Sequence, residues 1–243
     1  MSSIIIAKPD AQPEQLMLLF HGAGADAQSM TPVGLTLQNA FPQAWIISIE
    51  APTRSRFGPG FEWFSVQGVT EDNRITRVGE AMPLFLETIY DWQKKAQVDA
   101  ARTALVGYSQ GAIMALESVR DRAPVAGRVV AFAGRFAQWP TQAPAGTTLH
   151  LFHGKRDSLV PYRLTVTAAE HLVRLNADVT ADVLPFLGHE IDAELKALMV
   201  TRLTTYIPRA LWEEAMQTDP GSAPPPALTE DETAILNPSP YRP

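Results

Sequence analysis

The stretch Gln15-Leu16-Met17-Leu18-Leu19-Phe20 leaves a chain few folding options. It is a continuous apolar run with no polar alternation, ending in His21-Gly22, as a strand covered on both faces reads. Ala44 to Ile49, Thr103 to Val106, Arg128 to Phe132, Thr148 to Phe152 and Val179 to Leu184 repeat the theme, and Ile4 to Ala7 adds an edge strand. Helical patterns lie between them, at about Met30–Asn39, Arg74–Lys94, Gln110–Arg122, Tyr162–Asn176 and Ile191–Tyr206, with a short one after Pro208. Such alternation predicts an α/β fold in a single domain, with a mostly parallel central sheet and helices on both faces. A chain of 243 residues is long enough to bury its core.

The clearest helix carries Ile75, Val78, Met82, Phe85, Ile89 and Trp92 at steps of three and four, one apolar stripe. Asp72 or Asn73 is the expected cap, and Pro83 is expected to kink or split the helix. Ala51 to Thr70 is rich in Pro, Gly and aromatics without a period, and reads as a long loop with no large lid domain elsewhere. The α/β domain is placed at residues 1–216. Residues 217–243, with Pro220, Pro224, Pro225, Pro226, Pro238, Pro240 and Pro243, read as a flexible tail.

A net charge of -6 supplies no basic excess for phosphates, so neither nucleic acid nor stable membrane association is expected. The absence of cysteine removes disulfides, thiolate metal sites and Cys nucleophiles. The first residues have too short an apolar run for a secretory signal, with Lys8 on its wrong side, and no segment approaches membrane-spanning length. A cytoplasmic monomer or homodimer is the expectation.

Gly107-Tyr108-Ser109-Gln110-Gly111 carries the chemistry. A serine hydroxyl is a poor nucleophile at neutral pH; it needs a base, a group orienting that base, and donors for an oxyanion. Glycines two residues to either side of Ser109 suit a nucleophile elbow, where a strand and the following helix approach closely around a sharp turn. Thr103 to Val106 supplies the strand, and Ala112 to Glu117 the helix, whose amino end favours a developing anion. His189 follows a late strand and is the candidate base; Asp157 follows the strand before it and is the candidate acid. The chain order Ser109, Asp157, His189 is that of this fold rather than of other triads. The turn His21-Gly22-Ala23-Gly24 after the first core strand completes the set, with the amides of Ala23 and Gln110 as oxyanion donors. Taken singly, each piece has a plainer reading: a Gly-Ser turn, a turn carboxylate, a Gly-rich connection.

The other candidates fit less well. His21 reads as a brace for the oxyanion turn, and Asp26 as a second one. His150 and His153 lie an odd number of positions apart on a strand, face opposite sides and cannot share a metal. His171 reads as a surface histidine, Asp182 as a strand residue and Asp192 as a helix cap. No metal site is expected.

With these residues in place the chain resembles the carboxylesterase/acyl-protein thioesterase family of α/β-hydrolases and, within it, the bacterial YpfH-type esterases. The likeness rests on Leu19-Phe20-His21-Gly22, the run Gly107 to Glu117, His153-Gly154 with Asp157, Gly188-His189, and Trp63-Phe64-Ser65-Val66-Gln67-Gly68-Val69-Thr70-Glu71-Asp72-Asn73-Arg74. It spans about residues 4 to 214. It implies a cofactor-independent serine hydrolase acting on small-molecule acyl esters, with an acyl thioesterase or lysophospholipase as the alternative, and a non-catalytic binding protein on the same scaffold as a third reading. It places Trp63 and Phe64 beside the acyl pocket; the bland alternative is that both are core aromatics. One departure stands out. The thioesterase branch shows a His-Gly-Leu-Gly-Asp turn, whereas Ala23 and the Ala25-Asp26 pair alter it here, which bears on an acyl-protein substrate and spares the backbone amides.

Overall fold

The computed structural model describes residues 2–56 and 58–218. Strands β1 (Ser3–Ala7), β2 (Gln15–Phe20), β3 (Ala44–Ile49), β6 (Thr103–Tyr108), β7 (Arg128–Phe132), β8 (Thr148–Gly154) and β9 (Val179–Leu184) form one sheet in the order β1-β3-β2-β6-β7-β8-β9. Only β1 runs antiparallel to its neighbour; the other six strands are parallel. The expected architecture is the one observed.

The unbroken apolar run of β2 is explained by its two faces. Leu16, Leu18 and Phe20 enter a core shared with Val78, Phe85 and Ile89 of α2 (Glu71–Ala96), all of α3 (Gln110–Ser118) from Ala112 to Leu116, and Leu172 of α4 (Arg163–Arg174). Met17 and Leu19 enter the opposite core, with Val33 and Leu37 of α1 (Thr31–Ala40) and Leu195 and Met199 of α5 (Ala193–Thr205). Each large apolar side chain so removed from water contributes about 1.5–3 kcal/mol.

Three local expectations change. Helix α2 starts earlier than its apolar stripe, at a capping box in which Thr70 is the cap and Asn73 its partner three residues on, so neither Asp72 nor Asn73 holds the cap position. The helix is not split at Pro83. Its buried face (Val78, Met82, Phe85, Ile89, Trp92, Ala96) holds it together although proline removes one backbone donor. Helix α3 ends at Ser118, four residues before Arg122, and carboxylates at its end and in the turn after it hold another segment. Glu117 accepts from the amides of Ala137 and Gln138 at 2.6 and 3.0 Å, and Asp121, left-handed at φ 49°, accepts from Thr141 at 2.8 Å. The stretch Ala51 to Thr70 is also more than a loop. It contains a short antiparallel pair, β4 (Thr53–Arg54) and β5 (Phe61–Glu62), with Phe61 bridged to Ala25.

Residues up to Tyr206 form one compact unit, and the described residues from Ile207 belong to another. The short helix expected after Pro208 is α6 (Arg209–Thr218), with Leu211, Trp212 and Met216 exposed. The proline-rich segment after Thr218 lies outside the described residues. Among the described residues no helix is long and apolar enough to cross a membrane.

Two measurements check this packing. Phe85 is 1% exposed and its neighbour Leu84 43%. Phe85→Ala should therefore cost about 3–5 kcal/mol in urea denaturation, while Leu84→Ala stays within about 0.5 kcal/mol. At the amino ends of β7–β9, His150 is fully buried, accepts from Arg128 at Nε2 (3.0 Å) and donates to Thr180 from Nδ1 (2.8 Å). Burial and the Arg128 charge push its pKa down to about 4. Between about 6.5 and about 4 the unfolded chain binds a proton that the folded chain refuses, so stability falls as pH falls through that window. The slope of stability against pH should be flatter in His150→Asn, by up to about 1.4 kcal/mol per pH unit. An unchanged slope would place the titration elsewhere.

Candidate active site

Ser109 sits between the end of β6 and the start of α3 with φ 52° and ψ −112°, a backbone region that L residues avoid. Two close approaches enforce it. A Cβ on Gly107 would lie 2.5 Å from backbone atoms of Gly111 and Ala112, and one on Gly111 would lie 2.2 Å from the Phe20 carbonyl oxygen. The Ser109 amide donates to the Phe132 carbonyl at 2.8 Å, tying the turn to β7. The side chain is thus raised above the carboxyl ends of the parallel strands, where ligands of α/β sheets bind.

The three residues singled out for catalysis meet there. Ser109 Oγ lies 2.9 Å from His189 Nε2, and His189 Nδ1 lies 2.6 Å from Asp157 Oδ2. Asp157 follows β8 and His189 follows β9, so two adjacent strand ends bring together groups that are far apart in sequence. An ionised carboxylate only accepts, so Nδ1 carries the imidazole proton and Nε2 accepts from the serine hydroxyl. The Asp157 side chain is fully buried, and His189 is 13% exposed. Burial pushes the Asp157 carboxyl up, but the bonds from His189, Val160 and Leu159 outweigh it and hold the group below the usual carboxylate range.

Asp157 accepts four hydrogen bonds. Oδ1 takes the Leu159 and Val160 amides, both at 2.8 Å; Oδ2 takes His189 and, at 3.1 Å, Nε2 of the fully buried His153. Tyr108 supports His189: its hydroxyl donates to the His189 carbonyl at 2.8 Å, and its ring lies 5.2 Å from the imidazole.

The His21–Gly24 turn is braced as its residues suggest. His21 Nε2 accepts from the Ala51 amide at 3.0 Å, which leaves Nδ1 to donate to the Gly22 carbonyl at 2.7 Å. Burial lowers the pKa of His21 and keeps it neutral in that tautomer. The Gly24 and Ala25 amides are engaged, with the carbonyls of Phe61 and Gly22. The Gln110 amide is the first of α3, where a helix offers no internal acceptor. Asp26 caps the short 3₁₀ helix Ala27–Met30 and accepts from Ser29.

Trp63 and Phe64 are buried core aromatics. Trp63 packs edge-on against Phe20 and Phe85 at 5.4 and 5.3 Å, and its indole N–H donates to the His21 carbonyl at 2.8 Å. The Gln110 side chain clamps their backbone, accepting from the Trp63 amide at 2.7 Å and donating to the Phe64 carbonyl at 2.6 Å. The side chains of Gln110, Tyr108 and His153 were not assigned to the site from sequence. Tyr108 and Gln110 flank Ser109 in the pentapeptide but bond residues distant along the chain, whereas His153 lies four residues before Asp157, a spacing that signals nearness. The remaining histidine and acids have structural partners: His171 the Pro140 carbonyl, Asp182 Arg202, and Asp192 the amide of Leu195 at the start of α5. Among the described residues no group of three or more His, Asp or Glu side chains is placed to hold a metal ion.

A serine on a strand-to-helix elbow of a parallel sheet, backed by histidine and aspartate from the next strand ends, defines the α/β-hydrolase class. Residues 1–207 match the phospholipase/carboxylesterase family model, and the chain belongs to that family. It is 42% identical over 212 residues to the esterase YpfH of Escherichia coli (strain K12), covering 87% of this chain and 91% of that one. Among solved structures, esterase PE8 superposes with a TM-score of 0.77 at 25% identity, covering 85% of this chain and 99% of that one. The Bacillus cereus carboxylesterase shares the fold, at TM-score 0.67 and 19% identity over 82% of this chain and 92% of that one.

The elbow's steric constraint is open to a paired test. Gly111→Ala should lower stability by about 1–3 kcal/mol, since neither Phe20 nor His21 backbone has room to yield. Gly79→Ala, on α2 with nothing within 4 Å of the added atom, should raise it by about 0.5–1 kcal/mol. Thermal melts of the two variants read the difference.

Proposed function

We propose that this chain is a serine carboxylesterase that hydrolyses small to medium acyl esters through an acyl-enzyme on Ser109. The observation that carries the reading is the unbroken line from Ser109 Oγ through His189 to Asp157, at 2.9 and 2.6 Å. In this mechanism Ser109 Oγ attacks the ester carbonyl carbon while its proton passes to His189 Nε2. The carbonyl oxygen becomes an oxyanion facing the amides of Ala23 and Gln110, each such donor typically worth about 2.7–4 kcal/mol. The tetrahedral centre collapses, the carbon–oxygen bond to the alcohol breaks, and the alcohol leaves with the proton from His189. Water then gives its proton to His189 and attacks the acyl carbon, and Ser109 is regenerated with release of the acid. Asp157 stays ionised throughout and stabilises the transient imidazolium. The Trp63–Phe64 segment, pinned by Gln110, forms the wall beside the acyl group, its rings backing that wall from the core side.

Membership of the phospholipase/carboxylesterase family and the likeness to esterase YpfH support ester hydrolysis. A second reading, an acyl thioesterase or lysophospholipase, is favoured by one observation. Leu159 and Phe186, on the loops that carry Asp157 and His189, are 72% and 77% exposed, apolar surface that suits a longer chain on the substrate.

A fluorophosphonate should label the wild type at Ser109 and leave Ser109→Ala unlabelled, with kcat on a p-nitrophenyl ester falling at least about 10⁴-fold. A folded wild type that resists labelling would overturn the mechanism. Profiling kcat/KM over p-nitrophenyl esters of rising chain length, beside acyl-CoA and lysophospholipid substrates, separates the two readings: a maximum at short esters supports the first, and a preference for thioesters or long chains the second.

A further inference from the structure

Beneath the candidate triad lies a second, fully buried histidine that the mechanism above does not use. His153 is the next-to-last residue of β8, just before Gly154, and has 0% side-chain exposure, as does Asp157. Its Nε2 lies 3.1 Å from Asp157 Oδ2 and 2.8 Å from the Val160 carbonyl, while its Nδ1 lies 2.7 Å from Thr165 Oγ1. Two acceptors at Nε2, one a carboxylate and one a carbonyl, require a proton there. The Thr165 hydroxyl then donates to Nδ1, the arrangement a neutral imidazole satisfies on both nitrogens. Burial favours the neutral ring over the charged one, against the pull of the Val160 carbonyl and Asp157.

On the serine-hydrolase reading above, we propose that His153 is a positioning residue for catalysis: its Nε2–H holds the Asp157 carboxylate in register with His189 and limits how strongly that carboxylate raises the basicity of the catalytic imidazole. The geometry supports both parts. Oδ1 is pinned by the Leu159 and Val160 amides from the turn that follows. His153 grips the same turn from the other side, at the Val160 carbonyl and at Oδ2, so the carboxylate plane cannot rotate about its Cβ–Cγ bond without breaking a bond at either oxygen. His189 and His153 share Oδ2, and each donor draws charge from the other's acceptor. The result is the hydrogen-bonded chain Thr165–His153–Asp157–His189–Ser109. Two further ionisable groups lie nearby, Tyr108, whose ring lies against His189, and Glu190, whose charge reaches Tyr108; both are left intact by the substitutions below.

The test compares His153→Phe, which keeps a buried ring and removes the donor, with His153→Gln, which returns an N–H at the reach of Nε2. Near-UV circular dichroism and thermal melts report folding, and a p-nitrophenyl ester reports kcat, KM and the pH profile of kcat/KM. In His153→Phe, kcat should fall about 10- to 100-fold at unchanged KM, the worth of one hydrogen bond to a charged group. The acid limb of kcat/KM should move to higher pH, because the carboxylate then acts undivided on His189. His153→Gln should recover most of the loss and return the limb toward its original place. A folded His153→Phe with kcat within twofold of wild type and an unmoved limb, whatever its melting temperature, would assign His153 to packing alone. So would a Gln variant as slow as the Phe variant. Should neither variant fold, the wild type decides: imidazole nitrogen chemical shifts in ¹⁵N-histidine-labelled protein should show His153 protonated on Nε2, and protonation on Nδ1 would remove the donor and the proposal with it. Fluorophosphonate labelling of the wild type keeps this outcome separate from failure of the serine mechanism itself.

Discussion

The forced backbone of Ser109 is the constraint from which the rest of the site follows. A residue at φ 52° and ψ −112° is held there only if its surroundings leave no alternative. Here the surroundings are backbone on every side: α3 packs onto the bare Cα of Gly107, the Phe20 and His21 carbonyls close on Gly111, and the Phe132 carbonyl takes the Ser109 amide. Because Gly111 brings the end of β2 so close, the His21–Gly24 turn is carried to the elbow, and its amides with it. The same proximity lets Gln110 reach the Trp63–Phe64 backbone. One tight turn therefore brings the serine, the His21–Gly24 turn and the Trp63–Phe64 backbone together.

The five histidines show how environment divides labour among identical side chains. His21 and His150 are each locked into one tautomer by an amide or guanidinium that must donate to Nε2, and burial keeps them neutral. His171 bonds a carbonyl near the surface. His153 and His189 meet at one carboxylate oxygen from opposite sides. Only His189 has its second nitrogen turned toward the serine, and it alone of that pair keeps some solvent exposure. A carboxylate with four donors is costly to bury and well defined once buried.

Much of this was legible from local pattern. The apolar runs announced strands covered on both faces, and the Arg74–Lys94 stripe announced a long helix, because side-chain period is set by backbone geometry within the element itself. Ser109, Asp157 and His189 could be named because each follows a strand in the order this fold imposes. The details that slipped were settled by contacts remote in sequence. Beyond Ser118, Glu117 and Asp121 take amides from residues 137–142, and β5 forms inside an apparent loop by pairing with β4, with Phe61 bridged to Ala25. Pro83 reads as a break until the buried face of α2 is seen holding both halves.

By itself, then, the sequence determined the layered α/β plan, the elbow and the identity of three side chains that meet over the sheet, since periodicity, glycine spacing and chain order are local or topological facts. The tertiary structure alone decided what surrounds them. It turned Trp63 and Phe64 into core aromatics, made the Gln110 side chain a clamp, set the Tyr108 hydroxyl under the His189 carbonyl and put His153 against Asp157. Hydrogen-bond partners are chosen by distance in space, and residues 81 apart, such as Tyr108 and His189, carry no mark of that neighbourhood in the chain.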